Sequence, residues 1–578
     1  MSAEAEWLQN YATGRHDWHD ITPNGKQLFF RRIGIVESIF DVDGTDYEGR
    51  ADLTIHLHIE IRTSSTIDTL RDRLLEAWAI LRQEHVLLST KVTEANNIVP
   101  NDPAYTQQDR VFVFEPASNL QGMRSSARDH MVFAEDFYQD INPDEFFIHA
   151  LNSSRCIDAS EALSKLYIMP MQVDKEGFCQ LHLVVVAAHQ ISDGLSFQRW
   201  MANFIDLINL PPQQLTSYAK HLCNASPLSR LPPAQESLYP PVQGNRARQR
   251  WFWLLARILR HTRIPPPASF QNPLRRTNPL PSALAFKPKF SKVLDYTNVP
   301  PLNGFPIRAE LNARSTRKLA DICRQAKISI GSGCFALVAM AMMMFEEKRN
   351  PHMPMEQRLP FVGSFPINPR PFLTMGPTTG REDSLILAFS DGITLPHLPS
   401  DLDFEGRLRL LGKQASRQLR QYQKRPRKPE EEVQMGSKSP AQLFPLLYLL
   451  TIERLGVRST ENRRHSWNIQ GNYPATRSAS LATCGVSSVG ARSSVISSGK
   501  YNTQEVPGAD QIIADFRNLN TTVRARDGEF LVGVVGDRDC IRFQASCDGC
   551  AIDPNLAQEW KTWMETMLDS KELSCAKL

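Results

Sequence analysis

The sequence predicts an α/β protein built from two large domains. Three observations lead there. At 578 residues the chain exceeds what one hydrophobic core supports. Segments of strand and helix periodicity alternate in both halves. Between them, from about residue 211 to 301, the periodicity lapses into proline-rich sequence such as Pro265-Pro266-Pro267. The implied division is residues 1–215, a connection at 216–303, and residues 304–578.

Taken in order, residues 51–62 place Leu53, Ile55, Leu57, Ile59 and Ile61 on one face with polar residues between them, the period of a half-buried strand. Ser65 is positioned to cap a helix whose apolar stripe is Ile67, Leu70, Leu74, Trp78 and Leu81. Further strands are expected at about 86–92, 111–114 and 166–173. Residues 181–188 form an almost wholly apolar run rich in β-branched side chains, and Phe197, Met201, Phe204, Ile205 and Ile208 follow at helical spacing. Inside the connection, residues 246–263 carry six arginines around an aromatic and aliphatic centre. This basic amphipathic segment either touches a membrane surface or packs on the protein with a solvated arginine face; the second reading is preferred.

The second half repeats the alternation. A strand is expected at 307–311, then a helix through Leu319, Ile322, Cys323 and Ala326. A second helix at 332–345 is apolar all round and therefore central to a core. A strand at 359–368 runs into Pro369-Arg370-Pro371, and charged loops are expected at 424–440 and near 459–465. Late strands are expected at 479–489, 530–535 and 541–545. Pro554 opens a C-terminal helix with a stripe of Leu556, Trp560, Trp563 and Met567. No repeat of fixed period is visible.

Composition narrows the function classes. Hydrophobic residues make up 42% and charged residues 22%, an ordinary globular balance, and a net charge of +4 gives no global case for a nucleic-acid partner. Of ten cysteines only Cys547 and Cys550 are closely spaced, and no second pair or nearby histidines complete a metal site, so reduced core thiols and no metal are expected. The polar N-terminus lacks the apolar stretch of a secretory signal. The longest apolar runs, 334–345 and 444–450, fall short of the roughly 20 residues needed to span a bilayer. A cytoplasmic monomer is the expectation. Gly331-Ser332-Gly333 lacks a third glycine at nucleotide-binding spacing, and no Walker A, GxSxG or HExxH pattern is present.

The period changes from strand to helix at His189-Gln190-Ile191-Ser192-Asp193-Gly194, a position suited to presenting side chains into a cavity. This HxxxDG turn, after a buried strand and before an amphipathic helix, resembles the signature of the CoA-dependent acyltransferase superfamily. The early strand and helix, followed by QEHVLLSTKV at 83–92, also resemble the start of peptide-synthetase condensation domains. The nearest type is a fungal natural-product O-acetyltransferase. Two departures stand out: Ala188 occupies the first position of the HHxxxDG form, and Asp515-Phe516-Arg517 is a poor remnant of the plant-type DFGWG segment.

The resemblance implies a chloramphenicol-acetyltransferase-like fold with its active site in a tunnel between two domains. It implies that neutral His189 acts as general base on an alcohol attacking an acyl-CoA thioester, with acetyl-CoA as the expected co-substrate, a small-molecule alcohol as acceptor and no acyl-enzyme. Asp193 then has a structural role, paired with Arg370, although Asp193 could equally cap the helix that follows. Gly194 lets backbone pass close to the substrate channel or eases the turn. Ser488 is the first choice of oxyanion donor and Ser487 the second, on the resemblance of residues 485–490 to the family's segment. Two other functions stay open: transfer from an acyl carrier protein, with residues 246–263 as docking surface, and a non-catalytic binding protein on the same fold.

Overall fold

The computed structural model describes residues 6–106, 109–262, 266–283, 286–301, 303–373, 382–423, 440–465, 467, 469, 482–508 and 511–569. Among these, two hydrophobic cores form behind two mixed sheets. The first sheet has five strands in the order Ile512–Val523, Leu53–Thr63, Phe178–Ala187, Ser164–Ile168, Met131–Phe133. Leu53 lies opposite Ala187 and Arg62 opposite Phe178, which fixes the register of the two central strands. The alternation in Leu53–Thr63 does what it predicts: Ile55, Leu57, Ile59 and Ile61 are fully buried. They share one core with Leu70, Leu74 and Trp78 of the helix Ile67–Glu84 and with Phe197, Phe204 and Ile208 of the helix Gly194–Asn209.

The second sheet has six strands in the order Ile393–Leu395, Phe361–Ser364, Cys484–Ala491, Phe530–Gly536, Ile541–Asp548, Gly304–Leu311. Its core centres on the helix Ile330–Arg349, buried around most of its circumference as its uniformly apolar sequence requires. This helix is long and apolar enough to cross a membrane by length and composition, but 78% of its apolar window is buried inside the protein. Pro554 opens the C-terminal helix Pro554–Thr566, where Asp553 caps the first turn and Trp560 and Met564 enter the core. A smaller sheet pairs His19–Ile21, Leu28–Arg32, Arg110–Phe114 and Lys91–Glu94.

Several elements depart from expectation. Thr66, not Ser65, caps the helix Ile67–Glu84, accepting from the Thr69 N–H. Residues 86–92 divide into a 3-10 turn, Val86–Ser89, in which Val86, Leu87 and Leu88 are all buried, and a strand, Lys91–Glu94. The strand expected at 166–173 is Ser164–Ile168, and the one at 359–368 breaks into Phe361–Ser364 and Pro366–Ile367. The loop at 424–440 lies outside the described residues except for Pro440, as does the start of the strand expected at 479–489.

The stretch expected to connect the two halves packs into both cores. The connection contains the helices Pro212–Asn224 and Arg246–His261, and it contributes Phe270 and Leu274 to the second core but Phe290 and Leu294 to the first. Late in the chain, Ile512–Val523 crosses back to pair antiparallel with Leu53–Thr63, from Ile512 opposite Thr63 to Val523 opposite Leu53, with a bulge between Phe516 and Asn518. Asp515-Phe516-Arg517 is part of this crossing strand. Asp515 accepts from the Gly499 and Tyr501 N–H groups, and Arg517 pairs with Glu60 at 2.5 Å. The segment braces the sheet.

Candidate functional site

His189 stands where the central strand Phe178–Ala187 ends. The chain makes a 3-10 turn, His189–Ile191, and the helix Gly194–Asn209 starts at Asp193. Two exchanges fasten that start: Asp193 Oδ1 accepts from the Leu195 and Ser196 N–H groups, and the Asp193 N–H donates to Ser196 Oγ at 3.1 Å. The other carboxylate oxygen faces the second half of the chain. It pairs with Arg370 Nη2 at 2.7 Å and accepts from the Ile386 N–H at 3.3 Å. Cap and ion-pair partner, the two readings of Asp193, therefore hold together.

Arg370 is itself buried and donates further to the Ser384 and Ile386 carbonyls. Burial alone would raise the Asp193 pKa, but the Arg370 charge and the Ser196 and Ile386 N–H groups outweigh it and hold the carboxyl below its ordinary value. The pair thus spans the two halves at the turn that carries His189. Trp200 Nε1 donating to Asp383 and an Arg199–Glu382 ion pair extend the same seam.

His189 is half-buried and opens onto a cavity of about 540 Å³ whose walls come from both halves. The N-terminal half supplies Phe40, His189 and Gly194, and the C-terminal half Ser364, Ser487 and Arg526. The imidazole stacks on Phe40, ring centres 4.2 Å apart and 20° from parallel, and the Arg526 guanidinium lies over Phe40 at 5.5 Å. Asp43, fully buried, holds Arg526 through Nη2 at 2.6 Å. Burial lowers the His189 pKa below its ordinary value; backbone hydrogen bonding in its own turn and Asp193 oppose this, while Arg526 adds to it. The lowered pKa favours the uncharged ring at neutral pH. The arrangement can accept a proton from a group bound in the cavity.

The expected serine pair separates by strand parity. In Cys484–Ala491, Val486 enters the second core, and Ser488, two residues on, lies beside Gly331, exposed rather than on the cavity. Ser487 and Val489 point the other way and line the cavity. Of the two serines, Ser487 and not the first choice, Ser488, lines the cavity. Gly194 fits its expected place: a Cβ there would meet Val489 Cγ1 at 3.4 Å, so the first helical turn passes close to the opposite wall. Cys547 and Cys550 are both buried as free thiols, and burial raises their pKa values.

Phe40, Asp43 and Arg526 escaped the sequence reading. Phe40 meets His189, and Asp43 holds Arg526 over Phe40, only through contacts between the helix Ile35–Asp46, the motif turn and the residues after the crossing strand, and no local period or spacing marks them.

No protein-family model matches the sequence, and no curated protein matches it. Solved structures do. The trichothecene 15-O-acetyltransferase of Fusarium sporotrichioides aligns over 96% of this chain and 97% of its own, at 12% identity and a TM-score of 0.60. The condensation domain of the monacolin K polyketide synthase MokA aligns over 93% and 97%, at 9% identity and a TM-score of 0.48. Two sheets with separate cores, a cavity between them and His189 at its wall give this chain the chloramphenicol-acetyltransferase-like fold that the HxxxDG turn implies.

Proposed function

We propose that this chain is an acyl-CoA-dependent O-acyltransferase that acetylates a hydroxyl of a small natural product. The observation that carries the proposal is His189 on the wall of a cavity shared by both halves, in surroundings that lower its pKa. The shared fold of a trichothecene O-acetyltransferase over nearly the whole chain supports the reaction class.

In this reading the acceptor oxygen attacks the thioester carbonyl while His189 takes its proton. The tetrahedral intermediate then collapses, the C–S bond breaks, and the departing thiolate receives the proton from His189. No acyl-enzyme forms. Ser487 is the side-chain donor proposed for the oxyanion. Asp193 and Arg370 are positioning residues: they hold the turn and seam that aim His189 without touching the reacting atoms. The positive charge of Arg526, over the same Phe40 ring on which His189 stacks, favours the uncharged, proton-accepting imidazole.

The donor is the testable part. Purified protein offered acetyl-CoA and, separately, an acetylated carrier protein, each with a panel of lipophilic alcohols, is expected to release free CoA and form ester from acetyl-CoA. Turnover with the carrier protein alone would replace this reading with a condensation-type transferase. Absence of turnover with either donor would point to a binding protein on the same fold.

A further inference from the structure

The helix Arg246–His261 packs on the protein and leaves Arg246, Arg248 and Arg250 exposed, as expected, but arginines are not all that it exposes. Its buried side is narrow: Trp253, Ala256 and Arg260. Trp253 packs edge-on against Trp7 and Tyr11, with ring centres 5.5 and 5.0 Å away, and Arg260 donates to Glu453 at 2.6 Å. At about 100° per residue, the side directly opposite carries Trp251, Leu254, Leu255, Ile258 and Leu259. All five are exposed, Trp251 at 59% and Leu259 at 57%. The helix is apolar on two opposite sides, and the protein covers one of them. Scattered single apolar side chains on a surface need no explanation, but five in one band about 12 Å long do.

The charges around this band have one sign. Arg246, Arg250 and Arg257 run along one flank and Arg248 stands at the N-terminal end of the band itself; Arg246–His261 contains no acidic residue. Among the described residues none of these four arginines makes an ion pair. Beside the helix N-terminus an open cavity of about 590 Å³ is lined by Arg15, Arg32, Arg246 and Arg250 together with Tyr11 and Trp253, and no carboxylate lines it. Neither feature belongs to the His189 cavity.

We infer that Arg246–His261 is a membrane-surface anchor that inserts Trp251, Leu254, Leu255, Ile258 and Leu259 among the acyl chains of an anionic bilayer while the flanking arginines and the arginine-lined cavity take lipid phosphates. A convex apolar band bordered by cations matches the acyl-chain and headgroup layers of such a surface, at the depth to which interfacial helices bury. An acidic carrier-protein helix would satisfy the arginines but would leave a convex row of five large apolar side chains without a groove to enter. The anchor also has a consequence for the proposed acyl transfer, on which it does not depend. The helix it packs against, Pro440–Arg458, carries Arg454 in the wall of the His189 cavity, so attachment would bring that cavity within one helix of the phase where lipophilic alcohols partition.

The test is sedimentation of the full chain with vesicles of phosphatidylcholine alone and of equal parts phosphatidylcholine and phosphatidylserine. Binding is expected to the mixed vesicles only and to weaken with added salt. L255D/L259D is expected to lower the partition coefficient by at least about tenfold, and R246Q/R250Q by roughly fivefold per charge removed. Because these side chains are exposed, both variants should keep the wild-type melting curve and acyl-transfer rate in detergent-free buffer. Failure to sediment with either vesicle, sedimentation unchanged in both variants, or capture of an acidic carrier protein in preference to vesicles would overturn the inference.

Discussion

Replacing His189 with alanine is expected to lower acetyl transfer by about 10²- to 10⁴-fold, the usual worth of a positioned general base, while leaving the protein folded. The imidazole makes one close aromatic contact, on Phe40, and sits half-buried on a cavity wall, so its removal takes little from either core. The thioester and acceptor would still meet in the cavity, and a residual rate is expected from that proximity. Initial rates of CoA release and ester formation, set beside thermal melting of the same preparation, check both halves of this expectation.

Asp193→Ala should do the opposite. It removes the carboxylate that caps the helix Gly194–Asn209 and pairs with buried Arg370. Breaking a buried ion pair on one side typically costs about 3–5 kcal/mol, and losing the cap adds about 1 kcal/mol. Two remaining carbonyl partners, Ser384 and Ile386, soften the loss at Arg370 without neutralising its charge. Arg370→Met should cost less, because Asp193 keeps its N–H donors from Leu195, Ser196 and Ile386. Denaturant unfolding of both single variants and the double variant should show coupling between the two sites. A stable but inactive Asp193→Ala protein would instead give Asp193 a direct chemical role.

Much of the fold was legible because its strongest elements follow one period each. Leu53–Thr63 alternates and is a central strand; Ile330–Arg349 is apolar all round and is the buried helix of the second core. The motif turn was legible for the same reason, as the point where one period gives way to another. Asp193 carried two signals, a local one for capping and one by resemblance for Arg370, and both correspond to contacts.

What stayed hidden depends on contacts distant in sequence. A period of two places Ser487 and Ser488 on opposite faces but does not say which face meets the cavity; Val486 entering the core and Ser487 and Val489 lining the cavity decide it. The strand Ile512–Val523 is read as a strand only once its partner, Leu53–Thr63, is in place 450 or so residues earlier. Phe40 and Arg526 reach His189 from separate elements. In Arg246–His261 the arginines drew attention to charge, whereas packing of Trp253 decides which apolar side is left outside.

The account turns on His189 being uncharged when it takes the proton, and the pH dependence of kcat/KM measures that most directly. Burial lowers its pKa from the ordinary value of about 6.5, so protonation, which abolishes base function, is displaced to lower pH. The same shift means that stability falls as pH drops below about 6.5, because the unfolded chain then binds the proton more readily. Wild-type kcat/KM for acetyl transfer is therefore expected to stay level through neutral pH and to fall only below about pH 6.5, with that acidic limb absent from the residual activity of His189→Ala. An acidic limb centred above neutrality, or the same limb retained in His189→Ala, would contradict the assignment of His189 as the base.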